Sequence, residues 1–158
     1  IPRGMDDVGR PGFNYRMSEL NAVIGKVQLE KLQEILRLNF ERYSILEHGL
    51  KHNLIKIRKI PEQAKPSYDT FIFEIENDLI RKNVVDLLYE LKIGTKNLPD
   101  AIKWHCTYFW EHLILANNNK CADLTLKKLK RQVAIPINVS VGSDVYINVV
   151  KRVLDVIK

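Results

Sequence analysis

The chain has 158 residues, 46% of them hydrophobic and 28% charged, with a formal net charge of +6. That length holds one domain or two small lobes around a real core, and that composition excludes a disordered chain. No window approaches the unbroken apolar run of a membrane span, and the opening IPRGMDD lacks the apolar centre of a signal peptide, so the expected compartment is the cytoplasm.

Residues 1–17 come first. IPRGMDDVGRPG carries glycines, prolines and charges without periodicity and reads as a loop that should lie on a missing N-terminal part of the protein. From Ser18 onward Leu20, Val23, Ile24, Val27, Leu32, Ile35, Leu36, Tyr43, Leu46 and Leu50 recur at helical spacing with charges between them. Ser18 is the expected N-cap and Gly49 the stop. Unbroken, this helix would reach roughly 50 Å. It therefore either kinks, near Gly25 or Asn39, or projects into a partner.

The period then changes. Leu54–Ile60 and Tyr68–Glu76 alternate apolar and polar residues and predict two strands, antiparallel neighbours joined by the proline-bounded IPEQAKPS. Asn77 or Asp78 should cap a second helix striped by Ile80, Val84, Leu87, Leu88 and Leu91 and closed by Gly94. An irregular aromatic stretch follows, then a helix over Ala122–Lys130 and a strand over Val133–Ile137, with Pro136 at an edge or strand end. Ser143 should cap the last helix, striped by Val145, Val149, Val150, Val153, Leu154 and Ile157. The order predicts an α/β (α+β) two-layer sandwich with a small, mostly antiparallel sheet packed by helices. The expected domain organisation is the loop of residues 1–17 followed by one domain over residues 18–158.

Several residue groups could carry chemistry. Cys106 and Cys121 are the two cysteines, in no ligand-like spacing, and are expected to stay reduced. His48 and His52 straddle a helix end without a carboxylate or cysteine to complete a zinc set. His105, Cys106 and His112 fall in a loop and lack an orienting third group for thiol catalysis. LKKLKR, Leu126 to Arg131, reads as a solvated helix face rather than a nucleic-acid footprint. Asn14 and Arg16, crowded just before the first helix, offer an amide and a guanidinium fork suited to phosphate oxygens; equally, they could satisfy local backbone and pair with Glu19. Composition alone favours the second view.

The order of residues shifts that balance. GFNYRMSELNAVIGKVQLEKL, Gly12 to Leu32, resembles the segment after the cofactor lysine in sugar aminotransferases of the DegT/StrS group, pyridoxal-phosphate enzymes of fold type I. Gly12, Asn14, Arg16, Met17, Glu19, Leu20, Ala22, Gly25, Gln28, Leu29, Lys31 and Leu32 sit on that group's pattern. KIGTKNLPDAIKWH and VAIPINVSVGSDVYINVVKRVLDVIK match later elements, so the resemblance spans essentially the whole chain. IPRG and GTKNLPDAIKWH look most like the aminotransferases that make 8-amino-3,8-dideoxyoctulosonate.

The resemblance implies the C-terminal small domain of such an enzyme, with pyridoxal 5'-phosphate as cofactor, glutamate as amino donor and a keto or aldehydo sugar of surface polysaccharide as acceptor. It implies a homodimer in which Asn14 reaches the cofactor phosphate of the other subunit and Arg16 sits at the same mouth. Lys96, Asn97 and His105 would contribute to the sugar pocket, with Trp104 as a wall. The large domain with the Schiff-base lysine precedes this segment in the family, so the chain alone is expected to be inactive, with no catalytic residue of its own. Two other readings stay open: a non-catalytic helical dimerisation module and, more weakly, a basic nucleic-acid-binding domain.

Overall fold

The computed structural model describes residues 17–106, 109–110 and 120–158. In chain order the elements are α1 (Glu19–Gly49), β1 (Lys56–Ile57), β2 (Thr70–Glu74), α2 (Asp78–Glu90), α3 (Ile102–His105), α4 (Lys120–Leu129), β3 (Gln132–Pro136) and α5 (Ser143–Ile157). The Ser18 hydroxyl accepts from the Asn21 amide at 3.3 Å and its carbonyl from the Ala22 amide at 2.9 Å, the expected cap. From there α1 runs through Gly25 and Asn39 without interruption.

Packing divides the chain into two units, Ile1–Gln33 and Glu34–Lys158. In the first, the apolar residues of α1 face solvent: Leu20 is 71% exposed and Val23 60%, and Ile24, Val27 and Leu29 are exposed as well. In the second, Tyr43, Leu46 and Leu50 are buried in the core.

That core forms between one face of a three-stranded sheet, order β1-β2-β3, and the helices. Phe71, Phe73 and Ile75 project inward on alternate positions of β2 and its continuation, joined by Val133 and Ile135 of β3. Against them pack Val84, Leu87 and Leu88 of α2 and Tyr146, Val149 and Val153 of α5. Both strand pairs are antiparallel, with Phe71 opposite Ile135 and Ile57 opposite Phe73. The two-layer α/β sandwich expected from the periodicity is the observed fold. No described helix is long and apolar enough to cross a membrane.

Local differences have local causes. Only Lys56–Ile57 of the expected strand Leu54–Ile60 pairs in the sheet; the last rung is the Arg58 amide on the Ile72 carbonyl at 3.0 Å, and Pro61 just beyond has no amide to donate. Helix α2 stops at Glu90 rather than running to Gly94, because Lys92 turns into the left-handed region at φ 58° and the amides of Ile93 and Gly94 fold back onto the Leu88 carbonyl. Ser143 does not cap α5. Gly142 precedes the helix, and the Ser143 hydroxyl instead donates to Glu41 at 3.0 Å. The stretch expected to be irregular contains the single turn α3. Helix α4 begins at Lys120, two residues ahead of the expected Ala122, and exposes Lys127 and Lys128 as a solvated face.

Two buried polar residues fix α1 to the loops around it. Arg42, only 6% exposed, donates to the carbonyls of Leu38, Val139 and Val141 at 2.8, 3.1 and 2.8 Å. Asn39 donates to the Ser67 carbonyl at 2.9 Å. Such bonds prevent the cost of an unpaired buried donor.

Candidate substrate cleft

The edge of β3 away from β2 organises the site. The Lys96 amide donates to the Ala134 carbonyl at 2.8 Å, and the Ala134 amide donates to the Leu98 carbonyl at 3.0 Å. Residues 96–98 therefore run along the sheet as a short irregular rung. Asp100 anchors the loop from the other side, accepting hydrogen bonds from both the Tyr89 and Thr95 hydroxyls. The Asp100 contact raises the Tyr89 phenol above its ordinary pKa.

Held in this way, Lys96, Asn97 and Leu98 form one wall of a cleft of about 340 Å³. Tyr68, Asp69 and Thr70, at the entry to β2, line it as well, with Arg58 and Tyr43 among the remaining lining residues. Lys96 and Asp69, both in the lining, are ion-paired, and the Ser67 hydroxyl donates to the same carboxylate at 2.9 Å. The Lys96 hydrogen bond holds the Asp69 carboxyl below its ordinary pKa, against the smaller opposing push of partial burial.

Among the described residues, two of the three non-glycine residues in the left-handed backbone region line this cleft: Tyr68 at φ 54° and Asn97 at φ 66°. Asparagine tolerates that region and tyrosine adopts it rarely. Tyr68 is kept there by its ring, which stands edge-on to Phe40 and to Tyr43 with centroids 5.0 Å apart in each case.

Of the residues expected to meet substrate, the structure brings Lys96 and Asn97 together. Trp104 and His105 lie apart from the cleft lining, on the exposed turn α3; Trp104 is 77% exposed, and its carbonyl accepts from the Trp110 indole at 3.0 Å. Asn14, Arg16 and His112 lie outside the described residues. Among the described residues no group of three or more His, Cys, Asp or Glu side chains could hold a metal; the His48 ring contacts the Ser44 carbonyl at 2.7 Å and His52 accepts from the Leu54 amide at 3.3 Å. Cys106 is a half-buried free thiol.

Arg58, Tyr68 and Asp69 were not expected at the site. Arg58 reads in the sequence as the outward position of a strand. Nothing in SYD announces a left-handed tyrosine, and Gly or Asn would have been the recognisable signal.

The fold is that of the small domain of fold type I aminotransferases. The aminotransferase TlmJ from Streptoalloteichus hindustanus superposes with a TM-score of 0.67 at 17% identity, over 88% of this chain and 37% of that one. Spr1654 from Streptococcus pneumoniae, described as a candidate sugar aminotransferase, superposes in its apo form with a TM-score of 0.63 at 16% identity, over 94% of this chain and 39% of that one. Its structures include a PLP form and a PMP form. In sequence, the lipopolysaccharide biosynthesis protein RfbH of Salmonella typhimurium is 27% identical over 105 residues, 62% of this chain and 24% of RfbH. The chain thus spans well under half the length of these relatives. Residues 3–154 match the model of the DegT/DnrJ/EryC1/StrS aminotransferase family, and the chain belongs to that family.

Proposed function

We propose that this chain is the small-domain portion of a pyridoxal-phosphate-dependent enzyme that transfers an amino group from glutamate to a keto or aldehydo sugar in surface-polysaccharide biosynthesis. The observation that carries the reading is the family match over residues 3–154, nearly the whole chain. RfbH, a lipopolysaccharide biosynthesis protein, supports the polysaccharide setting. GTKNLPDAIKWH supports an acceptor of the 3,8-dideoxyoctulosonate kind.

Pyridoxal phosphate supplies the electron sink that makes amino transfer possible. The described residues do not form its cradle. The one lysine lining the cleft, Lys96, is committed to Asp69. Lys96 and Asn97 instead suit the substrate side of a shared pocket, where they hold and orient the sugar. Asn14 and Arg16 are proposed to meet the cofactor phosphate of the other subunit of a cytoplasmic homodimer. A preceding large domain completes the site, and the exposed apolar residues of α1, Leu20, Val23, Ile24 and Val27, suit a face covered by such a neighbour.

The same apolar face favours a second reading, a non-catalytic helical dimerisation module. One experiment separates the two. The complete protein, purified with pyridoxal phosphate, is incubated with glutamate and a series of keto sugars including 8-keto-3,8-dideoxyoctulosonate. Formation of 2-oxoglutarate with an amino sugar is the expected outcome. A dimer that retains no cofactor and aminates no member of the series would leave the second reading in its place.

A further inference from the structure

We propose that the cleft between β2 and the Lys96–Leu98 segment receives an anionic group of a polyhydroxylated ligand, with the Arg58 guanidinium binding the anion and the Tyr68 hydroxyl binding a neighbouring ligand oxygen. The inference rests on the sugar aminotransferase reading for the ligand's being a sugar. The anion is argued from the cleft alone.

Three polar side chains of the cleft, Lys96, Asp69 and Ser67, are matched to one another. Asp69 is satisfied by Lys96 and Ser67, which leaves neither ion to recognise a ligand charge unaided. Arg58 lines the same space and two adjoining recesses, and among the described residues its guanidinium makes no hydrogen bond or ion pair, nor does the Tyr68 hydroxyl make one. With Lys96 and Asp69 cancelling, Arg58 gives the cleft its net positive charge. A guanidinium fork matches a carboxylate or a phosphate through two parallel hydrogen bonds.

The backbone supports a binding role. Left-handed tyrosine is strained, and strain of this kind persists where the surroundings over-determine it, as at ligand clamps. Here the surroundings are specific. Phe40 and Tyr43 hold the ring, Asn39 holds the preceding carbonyl, and the Asp69 side chain ties the next residue to Lys96. The volume of about 340 Å³ falls within the range of small-molecule sites, roughly 300–1,000 Å³.

Calorimetric titration of the complete protein with glucuronate, glucose 6-phosphate and glucose tests this. At least one anionic probe should bind, and glucose should bind more weakly than it does. Arg58→Gln should weaken anion binding about tenfold or more, the scale of a lost charge-assisted hydrogen bond, and Arg58→Lys should restore part of it. Tyr68→Phe, which keeps the packed ring, should weaken binding by a smaller factor without lowering the melting temperature. Preference for glucuronate marks a sugar acid as the source of the anion, and preference for glucose 6-phosphate a phosphorylated or nucleotide-linked sugar.

Affinity for the anionic probes unchanged in Arg58→Gln, or no preference for either over glucose, would overturn the inference. Amination with Arg58-independent affinity would sink this inference alone; Arg58-dependent affinity without amination would sink only the functional reading above.

Discussion

Asp69 links three parts of the site: the strand entry that carries Tyr68, the Ser67 hydroxyl and the Lys96 loop. Its carboxyl titrates below the ordinary value because Lys96 stabilises the charged form. A folded value lower than the unfolded one means the contribution to stability is present above the unfolded pKa, about 4, and is lost as pH falls through the folded one. The pair is about half exposed, so solvent screens it and the global effect is small. The local effect should be visible. Carboxyl-detected NMR titration is expected to place the Asp69 midpoint below that of an unstructured aspartate, with the Lys96–Leu98 resonances shifting over the same acid range. A midpoint at the unstructured value would remove the pair as the anchor of the loop. Lys96 and Asn97 were legible as candidates because they fall in a segment with a family resemblance, and both line the cleft. Tyr68 and Arg58 were not, since their importance depends on a backbone angle and on a neighbour that lies far away in sequence.

At the scale of elements, helix α1 meets helix α5 at Gly49. A methyl group built there would stand 2.6 Å from Cγ1 of Val150, a β-branched side chain with little rotamer freedom. Gly49→Ala is accordingly expected to destabilise the fold by about 1–3 kcal/mol, the usual cost of overpacking, in spite of alanine's better helix propensity. Urea denaturation measures the difference, and a stabilised variant would mean that the two helices can separate freely. The sequence marked Gly49 as a helix stop, which it is. Its second role in admitting Val150 depends on packing between segments about a hundred residues apart, and no local pattern encodes that. Ser143 illustrates the converse: a serine with good capping chemistry is drawn to Glu41 of another helix, and Gly142 takes the cap position instead. The strands and the inward stripes of α2 and α5 were readable because burial imposes its own period on each element.

For the whole molecule, the division at Gln33 and Glu34 matters most. Periodicity revealed that α1 was too long for a small domain but not where its burial begins, because Leu20 and Leu46 look alike in a helical pattern. One is 71% exposed and the other fully buried. The 158-residue chain by itself is expected to show no visible-range absorbance from bound pyridoxal phosphate and no transamination, since the lysine in its cleft is committed to an ion pair. Absorption spectroscopy after incubation with the cofactor checks this, and a bound chromophore would show that the described residues suffice to hold it.

The sheet also has a border at β1. With two residues in register, Lys56 and Ile57, and the exposed cations Arg58 and Lys59 directly after them, this border gives an incoming strand almost no ladder to extend and surrounds it with like charge. Brevity and lysine are the means by which natural sheets discourage edge-to-edge growth. The early departure of the chain from β2 thus has a consequence beyond shaping the cleft: it leaves neighbouring molecules little edge on which to anneal.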